Sequence, residues 1–437
     1  MYYKNNASID KIRLFRIGQL SIFTIGLAFA IRATIAPDLQ TDIYNYLDLA
    51  NSATMVGEAL GLTFAGFAFT LLFGSALIDW VGIKIMLLFS ALSYLLGSGL
   101  ILAASLMPVT PMVSSLVLAG LLLTGLGCGA VEAASNPMVA SIYPEEKTHR
   151  FNILHAWFPG GIVVGGLAGF ALATAGLAWQ WNIVLLIIPS LVLAWLVASS
   201  EFPVTERVAA GISYGGMFKE LLHQPLFWVF WCCMFATAIS ELAPGQWVNL
   251  SLSKVVGIQG ILLLVYVSVL MFVMRHFSGP VVNKISPIGL LWFSSVFAAL
   301  GLYCLSIATS PLPAFGAATI WAIGVCYMWP TMLATVSDRF PKGGALMLGL
   351  MGFAGGMAIQ FVLPKMGQIF DTAKIEAAGG VEALALLSGA ELDSVLRFAS
   401  QQSFQTVVYV PLFLLPVFGL IWWLDRRSTV TDSVAKS

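Results

Sequence analysis

Charge is what this sequence lacks most. Asp, Glu, Lys and Arg make up only 10% of its 437 residues, against 59% apolar. Soluble domains average about 25% charged residues, so there are too few here to coat a water-facing surface. Lipid is the alternative solvent, and there the outside of a fold is apolar too. Net charge is absent as well, with 21 basic and 21 acidic residues, so no basic face is offered to nucleic acid. The five cysteines (Cys128, Cys232, Cys233, Cys304 and Cys326) lie inside apolar stretches without a CxxC pair, which argues against a disulfide framework or a zinc site. Phosphate-binding loops and HExxH, GxSxG or dinucleotide fingerprints are missing from any fitting context. We therefore expect no ATP-driven pump, no enzyme and no cofactor.

What is present is a succession of long apolar runs. About 20 apolar residues cross the hydrocarbon as a helix. The chain supplies twelve such runs, near 17–36, 54–78, 83–105, 113–142, 151–175, 178–199, 224–250, 257–278, 287–309, 312–337, 343–368 and 405–424. Its 41 glycines and 13 tryptophans suit helices that pack closely and anchor at interfaces. Ala28-Phe29-Ala30 resembles a signal-cleavage site, but the stretch fits the first span and completes an even count. The expectation is an all-α membrane protein lying in a bilayer.

With the N-terminus in the cytoplasm, 16 of the 21 Lys and Arg residues fall on the cytoplasmic side, Arg275 among them. Lys254, Lys365, Lys374 and Arg397 lie outside, and Arg32 falls within a span. This bias places both termini in the cytoplasm. Three regions follow: a six-helix bundle at 1–199, a polar linker at 200–223, and a second six-helix bundle at 224–437 with an outer insertion at 371–403. The two halves echo each other. Asn136-Pro137 and Gly160-Gly161 in the first correspond to Trp329-Pro330 and Gly355-Gly356 in the second, the pattern of parallel repeats about an axis along the membrane normal.

After the second span the chain reads Gly74-Ser-Ala-Leu-Ile-Asp79-Trp-Val-Gly82-Ile-Lys84. Gly82 permits a tight turn, and Asp79 suits the positive end of a helix in the other half. The stretch resembles the G-x-L-x-D-x-x-G-x-K signature of the major facilitator superfamily, with Ser75 in place of its first glycine. The resemblance implies two pseudo-symmetric six-helix bundles and a gating role for Asp79, Gly82 and Lys84. Gly279-Pro-Val-Val-Asn283-Lys284 reads as a decayed copy in the second half.

Span four carries Gly125-Leu-Gly-Cys128, Glu132-Ala-Ala-Ser-Asn136-Pro137 and then Pro144, followed by Arg150, Asn152 and Gly161. This resembles the fucose and glucose/galactose permease branch, the fucose–proton symporters. The resemblance implies substrate binding and proton coupling at Glu132, with Asn136 beside it. Glu132 precedes Pro144 by about 18 Å of helix, which puts it near the midplane, where a carboxylate is a functional candidate by default. The branch's span-five glutamine falls on His155 and a neighbouring aromatic on Trp157, so both are expected to face the cavity; a structural His and an interfacial Trp are the plain alternatives.

The chain departs from that branch in span one, where Arg32 and Ala33 stand in place of Asn-Asp. Arg32 stays cationic and needs a partner. Three readings are open: a pair with Glu132, a fork for an anionic solute, or a structural arginine. In span seven, Pro244 should bend or unwind the helix, and Glu241 and Gln246 are cavity candidates; Tyr327 and Trp329 are weaker ones. The function expected is proton-coupled secondary transport of a small polar solute, a sugar or a relative. A transporter of sugar acids, carboxylates or peptides is the alternative, and a non-transporting receptor a third. A monomer in a bacterial inner membrane is expected.

Overall fold

The computed structural model describes residues 9–144, 147–205, 208, 213–277 and 285–435. Numbering only the spanning helices, the first six are α1 (Lys11–Leu39), α2 (Ser52–Val81), α3 (Ile83–Ser105), α4 (Pro111–Ile142), α5 (Lys147–Thr174) and α6 (Gln180–Ala198). The second six are α7 (Pro225–Val256), α8 (Ile261–His276), α9 (Pro287–Ile307), α10 in two pieces (Pro311–Val325 and Met328–Arg339), α11 (Gly344–Ala378) and α12, also in two (Gly389–Val408 and Val410–Ala435). A short helix, Tyr214–His223, lies in the linker between the bundles. Among the described residues, eleven segments are long and apolar enough to cross a bilayer; the 16-residue α8 is a shorter apolar helix. The chain is a multi-pass membrane protein. Twelve spans return the C-terminus to the side where α1 begins, called here the terminal side.

Several helix starts are written in the sequence. Pro111, Pro225, Pro287 and Pro311 each occupy a first turn, where a missing N–H costs nothing. Asp10 caps α1 by accepting from the Arg13 amide at 2.9 Å, and Ser286 caps α9 through the Gly289 amide at 3.2 Å.

Packing between helices rests on glycine, because lipid gives apolar side chains no drive to leave it and only close approach brings dispersion energy. Gly125 and Gly129 of α4 lie against the backbone of α2 at Thr63 and Phe67. Gly26 and Gly161 bring α1 and α5 together in the same way, as Gly301 and Gly324 do for α9 and α10. The bundles meet along α2 and α11, with Gly57 and Gly61 against Leu363 and Gln360, and Gly367 against Ala53.

The structure corrects two expectations. The stretch 371–403 is not one solvated insertion: α11 runs on to Ala378, a short helix covers Val381–Leu386, and α12 begins at Gly389 rather than near 405. Asp371 and Lys374 are buried in that extension of α11. Pro244 does not unwind α7, which is continuous across it. The carbonyl that Pro244 leaves without an amide partner, on Ser240, accepts from the Trp321 indole at 3.0 Å. The decayed copy at 279–284 lies outside the described residues.

Candidate functional site

A cavity with about 600 Å³ of empty space lies between the bundles. Arg32 reaches it from α1, Thr63, Phe64 and Phe67 from α2, Cys128 and Glu132 from α4, and His155 and Phe158 from α5. The second bundle supplies Glu241 and Leu242 from α7, Arg275 from α8, and Trp329 from the start of the second piece of α10. Four ionisable residues singled out from the sequence, Arg32, Glu132, His155 and Glu241, thus line one space.

Their partners were not legible. Arg32 does not pair with Glu132; its Nε donates to Gln246 Oε1 at 3.4 Å, across the bundle interface. Its guanidinium lies 6.0 and 5.7 Å from the ring centres of Phe29 and Phe64. Among the described residues no carboxylate lies within ion-pair reach of it, and Nη1 has no hydrogen-bond acceptor. Gln246 is used up holding the interface, since its amide also donates to the Phe29 carbonyl at 2.9 Å. One turn further along α7, Asn249 donates to the Thr34 carbonyl at 3.1 Å.

Glu132 and Asn136 are one helical turn apart, so the Asn136 amide reaches back to the carboxylate at 2.8 Å. His155 Nε2 meets Asn136 Oδ1 at 3.1 Å, while its Nδ1 is 3.9 Å from Glu132. Trp157 is not in the cavity. It packs edge-on against Phe23 and Phe272, with ring centres 6.4 and 6.2 Å away, where α1, α5 and α8 meet; its neighbour Phe158 lines the cavity instead.

Arg275, read from the sequence as a cytoplasmic charge, is only 3% exposed. Its Nη2 donates to Glu241 at 3.1 Å, its Nε to the Cys326 carbonyl at 2.9 Å and its Nη1 to the His155 carbonyl at 3.2 Å. Those two carbonyls are orphans of the sequence. They lie four residues before Pro330 and Pro159, which have no N–H to offer them. A basic residue near a helix end, with prolines in two other spans, was the available signal.

Spaces lead away on both sides. Toward the terminal side, an empty space of about 580 Å³ shares His155 with the central cavity and extends past Asn136 to Ser337 and Asp338. On the opposite side, a vestibule is lined by Asp38, Trp179, Asn182 and Gln259, with Asn249 and Thr34 also in its wall.

The expected gate residues sit on the terminal side. Gly82 takes φ +86° between α2 and α3. Lys84 donates to the carbonyls of Ala198 and Ser200 at 2.8 and 3.1 Å, at the negative end of α6. Asp79 accepts from Thr205 in the linker.

Residues 20–364 match the family model of the Major Facilitator Superfamily. The chain belongs to this superfamily of transporters. Comparison with curated proteins gives no match. Among solved structures, the chain resembles the D-xylose–proton symporter at 13% identity, with a TM-score of 0.71 over 91% of this chain and 97% of that one. A bacterial homologue of the human lysosomal transporter Spinster matches at 17% identity and 0.67, over 94% and 96%. The E. coli fucose:proton symporter matches at 14% identity and 0.56, over 92% and 99%. At such identities the likeness is one of fold.

Proposed function

We propose that this transporter carries a small organic anion together with a proton, by alternating access about the central cavity. One observation carries the reading: of the two arginines in that cavity, Arg275 is neutralised by Glu241 at 3.1 Å, while Arg32 has no carboxylate partner among the described residues. A buried charge without a counter-ion in direct contact is expensive inside a membrane. A carboxylate on the substrate supplies that counter-ion, and guanidinium is the side chain suited to it.

Charge counting extends the reading to coupling. With Arg275 and Glu241 cancelling, the empty cavity holds Arg32 and ionised Glu132 and is neutral. Anion alone makes it negative; anion plus a proton on Glu132 makes it neutral again. Only neutral forms close at low cost, which predicts one proton per anion. Asn136 orients Glu132 by donating to it, and His155, which borders the space toward the terminal side, serves as its proton relay. A neutral sugar, the solute first expected, would offer the Arg32 guanidinium no carboxylate to bond. We place both termini in the cytoplasm on the strength of the basic bias; the family resemblance suggests a monomer, and the short loops a bacterial inner membrane.

The test is uptake into proteoliposomes with and without a proton gradient, comparing carboxylates with glucose and fucose. Glu132→Gln should abolish gradient-driven accumulation and spare exchange. Accumulation by that variant equal to wild type would remove the proton role. Arg32→Lys should weaken uptake of every anion; if it changes none, the anion reading fails.

A further inference from the structure

The chemistry of the walls narrows the anion further, on the assumption that the anion reading above holds. Five aromatic side chains border the central cavity: Phe29, Phe64, Phe67, Phe158 and Trp329. They fall in two groups around one box: Phe29 with Phe158 at 5.6 Å and with Phe64 at 6.2 Å between ring centres, and Phe67 with Trp329 at 6.5 Å.

Most polar groups around this box are already committed. Gln246 is bonded to Arg32 and to the Phe29 carbonyl, Asn136 to Glu132 and His155, and Arg275 to Glu241 and two carbonyls. Among the buried lining atoms without a hydrogen bond are Arg32 Nη1, Thr63 Oγ1 and Glu241 Oε2, and the Trp329 backbone amide already interacts with the Glu241 carboxylate. Thr63 Oγ1 and Glu241 Oε2 could take two hydroxyls of a polyhydroxylated acid, and each further hydroxyl buried without a partner would cost roughly tenfold in affinity. A carboxylate with a flat apolar body needs only what is on offer: Arg32 for the charge, the Thr63 hydroxyl in the same wall, and ring faces and edges for the rest.

We propose that the substrate is an aromatic monocarboxylate about one ring in size, its carboxylate on Arg32 beside Thr63 and its ring in the box of Phe29, Phe64, Phe67, Phe158 and Trp329.

The experiment is equilibrium binding to the purified full chain in detergent, by calorimetry, with 3-phenylpropionate, gluconate and 3-phenylpropanol as probes. The expected order is 3-phenylpropionate at least tenfold tighter than either of the others, which separately lack the ring and the charge. Phe67→Leu should weaken 3-phenylpropionate several-fold while leaving the thermal midpoint near wild type, and Arg32→Gln should remove the advantage over the alcohol. Gluconate binding as tightly as 3-phenylpropionate overturns the aromatic inference and leaves the anion reading intact. The alcohol binding as tightly as the acid overturns the anion reading itself. The wild-type comparison decides both without relying on any variant to fold.

Discussion

Arg275 bonds the carbonyl that Pro330 sets free. The Cys326 oxygen has no amide partner in its own helix because residue 330 is proline, and Arg275 Nε occupies it at 2.9 Å. The same guanidinium takes the His155 oxygen, freed by Pro159 in the other bundle, at 3.2 Å. One side chain therefore satisfies two helix breaks, bridges the bundles and neutralises Glu241. Buried polar backbone must find a partner somewhere, and here two breaks share one.

Arg275→Ala should accordingly be among the most damaging single changes in the chain. It strands Glu241 as an unpaired buried carboxylate and reopens two carbonyls, a loss on the order of 3–5 kcal/mol. Arg275→Lys keeps the charge without the planar fork and should cost about half as much. Thermal unfolding in detergent measures both; an alanine variant as stable as wild type would refute the account.

A second buried pair locks the side opposite the termini. Asp371 and Lys374, one turn apart on α11, meet at 2.6 Å. Asp371 also accepts from the amides of Ala53 and Thr54 at 3.2 and 2.7 Å, capping α2, whose own Asn51 makes no side-chain cap. Lys374 donates to the Leu49 carbonyl at 2.9 Å. Asp371→Leu alone should destabilise by about 3 kcal/mol or more, because it leaves a buried ammonium. The double change with Lys374→Leu should cost less than the single. Unfolding midpoints of wild type, the single and the double variant decide it, and a double variant less stable than the single would count against a coupled latch.

The amide contacts of α7 divide the vestibule from the central cavity. Asn249→Leu removes the bond to Thr34 and the acceptor for the Ile261 amide at 3.1 Å. Labelling of Cys128 by a membrane-impermeant maleimide added on the vestibule side should speed up several-fold, about what one lost hydrogen bond of roughly 1 kcal/mol allows. Mass spectrometry of the Cys128 peptide reads it directly; an unchanged rate means this contact is no barrier.

Glycines should divide into two kinds. A methyl group on Gly26 would overlap the Phe158 carbonyl oxygen, so Gly26→Ala must push α1 from α5 and should lose about 1–3 kcal/mol or more. Gly82 has open space around it but φ +86°, so Gly82→Ala meets only backbone strain, of order 1–3 kcal/mol. Gel-filtration monodispersity should fall for the first and hold for the second.

By itself the sequence determined the solvent, the twelve helices, the superfamily and the residues too costly to bury idly. Each of these follows from composition, run length or local spacing. Arg32, Glu132, His155 and Glu241 stood out because charge in an apolar run is conspicuous one residue at a time. Pairings were decided only by the tertiary structure. Arg32 reaches Gln246, 214 positions away, and Asp371 caps a helix 317 positions away. No local pattern encodes such distances. Arg275 and Lys374 looked like surface charges because they sit near helix ends, where basic residues usually meet water. Which way each side chain turned depended on where α2, α5 and α10 came to lie, and on the carbonyls and helix ends those neighbours left unsatisfied.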